Sequence, residues 1–362
     1  MMSILVFCTV LTVVVTLLPQ SRHQHWIVRG MDFPRLQFAL LIAILLLADF
    51  FLLEMQSVST WLLILVKTLC LIWQLWWILP YTILWPREVK NASDNCRKNQ
   101  LSILTANVLT PNRRADALIR YVKQYKPDVL VTLESDQWWE DQLKVLEADM
   151  PYSVKCPLDN LYGMHVFSRL PLGNQEISYL IEEDVPSIHV SLMLRSGDTI
   201  RMHFVHPAPP SPTENTESAE RDAELVIVAR SVAESDLPAI VTGDLNDVAW
   251  SATTRLFRKI SGLLDPRVGR GMFNTFHADY PFLRWPLDHL FHSQNFALES
   301  IQRLPSIGSD HFALLTQLAF SPVEGASQDG LDPDASDHDW SEDIAEEQDV
   351  GKDDVPQPGE SK

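Results

Sequence analysis

The chain has 362 residues, 46% of them apolar, 4 cysteines and a formal net charge of −18. This composition excludes collagen-like, disulfide-framework and wholly disordered proteins, and the few cysteines show no CxxC or Cys/His spacing that would indicate zinc. The charge is uneven, with net +3 over residues 1–99, −9 over 100–320 and −12 over 321–362. A dominant basic footprint for nucleic acid is therefore absent.

Three long apolar runs open the chain: Ser3–Leu18, Leu36–Leu53 and Thr60–Leu84. About 20 apolar residues cross a bilayer as a helix. Three such runs leave no polar face for a soluble hairpin, so residues 1–85 are expected to form three transmembrane helices. The first run lacks a basic leader and a small-x-small cleavage site, which favours an uncleaved helix over a signal peptide. Without that first span, two would remain. Trp61, Trp73, Trp76, Trp77 and Trp85 lie in or beside the third run and suit a membrane interface. Lys67, inside the third run, is expected to snorkel or to face another helix; a single charge makes no ion pathway, which argues against a transporter or channel. Arg22, Arg29 and Arg35 lie in the first loop, none of the second loop's residues is basic, and Arg87, Lys90, Arg97 and Lys98 follow the third span. By the positive-inside bias, the first loop and everything after residue 85 face the cytoplasm, giving a multi-pass protein with a cytoplasmic domain.

Residues 86–99 are polar and aperiodic and read as a linker. Residues 100–320 read as one folded domain. LSILTANVL, PDVLVTLES, MHVFSRLPL, SIHVSLMLR, TIRMHFVHP, LPAIVTGDLND, LDHLFHS and HFALLTQLAF are strand-like, and helices are expected over 112–125, 216–235 and 251–260. Successive strands without intervening helices favour α+β layers over strict βαβ alternation. Residues 321–362, rich in Asp, Glu, Ser, Gly and Pro, are expected to form a disordered acidic tail. A bridge between Cys96 and Cys156 is conceivable but has no support in the spacing.

Polar residues recur at the ends of these strands. Asn107 follows LSILTA, Glu134 follows DVLVTL, His206 follows RMHFV, and Asp244 and Asn246 follow LPAIVTG. Asp288 sits in RWPLDHLF, and Asp310 and His311 open GSDHFALL. Strand ends share a rim of a sheet, so these segments are expected in one cleft. An oxygen-rich set of Asp, Glu and Asn suits Mg²⁺ or Mn²⁺ better than zinc.

The ordered series of Asn107, Glu134, His206-Pro207, GDLND at 243–247, Asp288-His289 and SDH at 309–311 resembles the endonuclease/exonuclease/phosphatase superfamily. HPAPP at 206–210, YGMHVFSRLPL at 162–172 and PLDHLF at 286–291 resemble a membrane-attached branch of it. The resemblance covers roughly residues 101–320. It implies a DNase I-like four-layer αββα sandwich behind the N-terminal membrane helices, and a divalent-metal phosphoesterase. It further implies Glu134 as the principal metal ligand, with Asn107 and Asp310 as further contacts. Asp244 would orient or deprotonate the attacking water, and Asn246 would hold the phosphate and Asp244. Asp288 would orient His311, which would act on the water or stabilise the pentacovalent phosphate. His206 would serve the leaving oxygen, and Asn107 and Tyr162 would contact substrate. Some branches carry an acidic residue two positions after the Asn107 equivalent; Leu109 stands here and weakens the match to apurinic-site endonucleases.

The expected activity is membrane-anchored, Mg²⁺- or Mn²⁺-dependent phosphoester hydrolysis. Nucleic acid and phospholipid or small phosphoester substrates both stay open, and the bilayer is the one macromolecular partner the residues imply. The alternative is a catalytically inert membrane receptor or scaffold that keeps the fold.

Overall fold

The computed structural model describes residues 2–93, 99–325 and 327–359. Its N-terminal part holds α1 (Met2–Leu17), a short helix α2 (Trp26–Gly30), α3 (Arg35–Leu52) and α4 (Val58–Ile78). Three of these, with their extensions, are long and apolar enough to cross a membrane: Met2–Ser21, Arg35–Leu52 and Val58–Tyr81. Their packing is inside-out relative to a water-soluble bundle. Thr9, Thr12, Thr16, Asp49, Lys67 and Gln74 are buried between the helices, while Leu40, Ile44, Leu47, Phe51, Leu65 and Ile72 face outward. Thr9, Thr12 and Thr16 donate to carbonyls of their own helix. Lys67 Nζ lies 2.5 Å from Asp49 Oδ2 with both side chains fully buried, and Gln74 donates to Thr16 Oγ1 at 3.1 Å. Lys67 thus faces another helix, and its charge is met by the one carboxylate of the second span.

The domain is built on two sheets. The first has β1 (Gln100–Asn107), β2 (Val129–Leu133), β3 (Tyr152–Cys156), β4 (Met164–Ser168), β10 (Phe296–Arg303) and β11 (Leu314–Phe320), in the order β10-β11-β1-β2-β4-β3. The second has β5 (Leu172–Ser178), β6 (Ser187–Met193), β7 (Thr199–Val205), β8 (Ala239–Asp244) and β9 (Asp288–His292), in chain order. Among these pairs, β1–β2 and β7–β8 run parallel. Period-two alternation sends Ile103, Val131, Met202, Phe204 and Ile240 into one core between the sheets. The opposite face of the first sheet packs on α5 (Ala115–Tyr125) and α6 (Gln137–Leu143) through Leu118, Val122, Trp139 and Leu143. The outer face of the second packs on α7 (Ala219–Ala233) and α8 (Ala252–Ser261) through Val226, Ala229, Leu256 and Phe257. The result is the four-layer αββα sandwich of the DNase I-like fold.

Two expectations about the flanks differ from the structure. Residues 86–93 are pinned rather than free: Val89 is buried, Glu88 accepts the Asp265 N–H at 2.8 Å and pairs with Arg258, and the Ala92 N–H donates to the Leu298 carbonyl at 2.8 Å. Residues 94–98, including Cys96, lie outside the described residues, and Cys156 is a free thiol. The acidic tail is also folded. After the short α9 (Pro322–Gly325), α10 (Ala335–Glu347) starts at a capping box between Asp334 and Asp337. It buries Ile344 and Ala345 against α7 and α8, and Lys259 reaches Asp337 at 2.5 Å. A capping box and two buried apolar side chains, Ile344 and Ala345, do not show in the average composition.

Candidate active site

Alternation that fills the inter-sheet core ends in polar residues at one rim. Thr105 and Thr242 meet across the sheets at 2.8 Å, and two residues further along their strands are Asn107 and Asp244. Phe204 is followed at the same spacing by His206, and Asp288 precedes Leu290 on β9. The backbone is shaped to bring these ends together. At Gly243 a Cβ would stand 1.8 Å from the Val205 carbonyl oxygen, so only glycine lets β8 lie this close to β7. Gly163 has the same role beside Tyr162, where a Cβ would stand 2.1 Å from the Ser135 carbonyl oxygen. Glu134 and Asn246 take left-handed φ values of 56° and 51°, sparsely populated for such residues and enriched at functional sites.

A continuous chain of hydrogen bonds and an ion pair results. Asn107 Nδ2 donates to Glu134 Oε1 at 2.7 Å and to Asp244 Oδ2 at 3.1 Å. His311 sets its Nε2 3.4 Å from Asp244 Oδ2 and its Nδ1 2.8 Å from Asp288 Oδ2. The Asn246 N–H caps Asp244 Oδ1 at 3.0 Å, and the Asn246 amide donates to the Pro207 carbonyl at 3.0 Å. The Tyr162 ring lies 5.3 Å from the His206 ring, and its hydroxyl bonds Glu214. Glu134, Tyr162, His206, Asp244, Asn246, Asp310 and His311 line one cavity of about 610 Å³. Asn107 and Asp288 are buried behind it. All the residues singled out from the sequence thus converge.

The electrostatics follow from burial and neighbours. Burial opposes a charge on His311, but Asp288 and Asp244 overcome it and raise the ring to about 10. Asp244 is likewise opposed by burial, yet His311 and His206 hold it below the usual carboxylate range. Burial lowers His206 to about 4, leaving a neutral ring, and raises Glu134 to about 7. Burial and Glu214 raise the Tyr162 hydroxyl.

Asn107 turns its amide nitrogen to the two carboxylates and gives its Oδ1 to the Leu109 N–H at 3.1 Å. It ties Glu134 to Asp244, and its oxygen keeps a second lone pair beyond the Leu109 bond. Glu134 Oε2 is buried and has no hydrogen-bond partner, and Asp310 is near enough for its charge to raise Glu134. Asp244, Asp288 and His311 also form a cluster whose ligand atoms lie within 4.8 Å of one another. Both ring nitrogens there already face carboxylates.

Sequence reading missed the supports. Arg221 donates to the Asn246 carbonyl at 2.9 Å and pairs with Asp222 at 2.8 Å, holding the 244–247 turn from beneath. Thr275 Oγ1 accepts the Asp288 N–H at 3.2 Å, and the Phe276 ring lies 4.9 Å from His311. It also missed a cavity wall: Trp26, Gly30, Phe33 and Pro34 come from the first loop. That loop docks by the Trp26 N–H to the Thr216 carbonyl at 3.0 Å and the Ser218 N–H to the Gln24 carbonyl at 2.9 Å.

The profile of the Endonuclease/Exonuclease/phosphatase family matches residues 104–311. That is more than half of the chain, which therefore belongs to this family and carries its phosphoesterase fold. Among solved structures, D. rerio TDP2 complexed with a single-strand DNA product is 18% identical, covering 60% of this chain and 98% of that one at a TM-score of 0.50. The human Nocturnin catalytic domain with bound sulfate is 18% identical, covering 62% and 94% at a TM-score of 0.51. At this identity the likeness speaks for the fold alone. No curated protein matches the chain in sequence.

Proposed function

We propose that the chain is a multi-pass membrane phosphoester hydrolase that depends on Mg²⁺ or Mn²⁺. The observation that carries this reading is the buried, unpartnered Glu134 Oε2 at the head of the chain from Asn107 through Asp244 and His311 to Asp288. A carboxylate oxygen left unpaired in a polar cavity is costly unless a cation meets it. Glu134, with Asp310 beside it, would hold the cation; an all-oxygen set suits a hard divalent ion. Once bound, such an ion neutralises phosphate charge and polarises the ester.

The residues divide the remaining work. Asp244, ionised and fixed by Asn107 and the Asn246 N–H, orients and accepts a proton from the attacking water. His311, held by Asp288 in the charged form, donates toward the phosphoryl oxygens as negative charge builds in the transition state. Neutral His206, with Nδ1 unpartnered, serves the leaving oxygen, and Tyr162 and Asn246 flank the phosphate. The intact set of these groups speaks against an inert scaffold.

Docking of the first loop on the domain requires both on one side of the membrane, which fits three spans. The arginines of that loop and the basic residues after the third span support a cytoplasmic domain. The full chain in detergent should hydrolyse bis(p-nitrophenyl) phosphate with Mg²⁺ or Mn²⁺, and EDTA should abolish turnover. Asp244→Ala should lose most of the rate with an unchanged circular dichroism spectrum. Turnover that survives EDTA or Asp244→Ala would refute the reading.

A further inference from the structure

The catalytic cavity and the membrane segments share a wall. Trp26 of α2 and Phe33 and Pro34, immediately before α3, face the cavity that holds Asp244 and His311. The loop 277–285 adjoins this wall: its Trp285 ring lies 5.6 Å from the Phe33 ring, and Leu283 and Trp285 also line the cavity. This loop is tied at both ends of its reach. The Ala278 N–H donates to the Asp310 carbonyl at 2.6 Å, and Gln37 Nε2 donates to the Phe282 carbonyl at 2.8 Å. Gln37 belongs to the first turn of α3, so Phe282 stands level with the start of an apolar, outward-facing helix. At that level Phe282 is 89% exposed, Tyr280 57% and Leu283 49%. Clustered apolar side chains are seldom left in water, and aromatic residues are favoured at a bilayer surface.

The cavity's charge narrows the ligand. Among the described residues that line it there is no Lys or Arg, whereas Glu134, Glu214, Asp244 and Asp310 are all present. Polyanions such as nucleic acids draw their affinity from many cationic contacts to phosphates, whereas this wall offers one, His311. One phosphodiester charge can be met at the cation site. Glu214, the lining carboxylate not assigned to the cation or the water, and the faces of Tyr162 and Trp26 suit a cationic headgroup, and the apolar wall suits an acyl-bearing body.

We propose that the substrate is a bilayer-resident lipid phosphodiester with a zwitterionic headgroup, admitted past α2 and the 277–285 loop, whose Phe282 sits in the membrane surface. The inference rests on the phosphoesterase reading above and names its substrate class. In the reaction water oxygen forms a new bond to phosphorus and one ester P–O bond breaks. The departing oxygen takes a proton and leaves as an alcohol.

The test uses the full chain reconstituted with Mg²⁺ in vesicles of choline-radiolabelled phosphatidylcholine and sphingomyelin. Cleavage on either side of phosphorus releases water-soluble label. A single-stranded oligonucleotide and bis(p-nitrophenyl) phosphate are assayed alongside. Label should be released and the oligonucleotide left intact. Phe282→Glu should lower lipid turnover about tenfold or more by keeping the loop out of the interface, with chromogenic turnover unchanged, and Phe282→Trp should retain lipid turnover. Cleavage of the oligonucleotide with lipid untouched overturns the proposal, as does Phe282→Glu with unaltered lipid turnover. Loss of all hydrolysis, chromogenic included, overturns the phosphoesterase reading itself.

Discussion

His311 Nδ1 lies 2.8 Å from Asp288 Oδ2, with both side chains buried. The carboxylate fixes the orientation of the charged ring and directs its other N–H toward Asp244, 3.4 Å away. Asp288→Asn preserves the shape and removes the charge. It should lower kcat by roughly 10²- to 10⁴-fold, the scale seen when an acid behind a catalytic histidine is neutralised, while KM for a chromogenic diester shifts only a few-fold. Steady-state kinetics beside a thermal melt would check this. A near wild-type kcat would remove Asp288 and His311 from the mechanism.

Much of this site could be read from the sequence because it follows strand alternation. Once Thr105, Phe204 and Thr242 are inward positions, Asn107, His206 and Asp244 must share their face, and the GDLND and SDH segments close the set. What could not be read depends on contacts remote in sequence. Nothing in WIVRG indicates that Trp26 will dock beside Thr216, because a short loop helix has no periodicity to show its buried side. Arg221 looks like any charged residue of an amphipathic helix until its helix is set under the 244–247 turn. β5, LGNQEIS, is a half-exposed edge strand, so it lacks the apolar alternation that marks β6 and β7. Asn107's link between Glu134 and Asp244 was hidden for another reason: residue type shows that an amide is present, but not which groups its nitrogen reaches.

Among the apolar N-terminal helices the buried pair of Lys67 and Asp49, 2.5 Å apart, makes the effects of substitution strongly non-additive. Lys67→Met alone strands Asp49 among apolar helices, a change that costs on the order of 3–5 kcal/mol when one partner of a buried pair is removed. The double variant Lys67→Met with Asp49→Leu removes both charges and should recover most of that loss. Thermal unfolding in detergent of the two single variants and the double would test the pair. Equal stability for Lys67→Met and the double would show that the two charges are not coupled.

Glu224, on α7, is buried with Oε1 unpartnered, and burial followed by the nearby Glu182 raises it from 4.5 to about 8. The folded value lies above the unfolded one. The folded state therefore keeps a proton that the unfolded chain releases between these two values. Stability from this group is complete below about 4.5 and falls as pH rises through 8, by about 1.4 kcal/mol per unit inside the window. Glu224→Gln carries no such proton. It should gain on the wild type progressively from pH 5 to pH 8 in denaturant or thermal unfolding. Parallel stability curves for the two proteins across that range would show that Glu224 ionises normally.

The acidic tail is expected to act as a structural strap. Ile344 and Val355 are buried in the cluster beneath the second sheet, and Gln328 bridges the Gln294 and Phe296 carbonyls at 2.7 and 2.9 Å. Arg22 of the first loop lies over the Trp340 ring at 4.3 Å, and Gln24 Nε2 donates to Glu347 at 2.6 Å. The strap therefore also braces the loop that forms the cavity wall. Burying two such aliphatic side chains is worth roughly 3–6 kcal/mol before the entropy of ordering the segment. Truncation after Ser321 should lower the melting temperature by several degrees, and Ile344→Asp should reproduce most of the loss. Because the wall is braced from the same segment, truncation should also raise KM more than it lowers kcat. In the intact protein, residues 335–347 should resist limited proteolysis. Rapid cleavage there, with no change in melting temperature on truncation, would show that the tail is unattached.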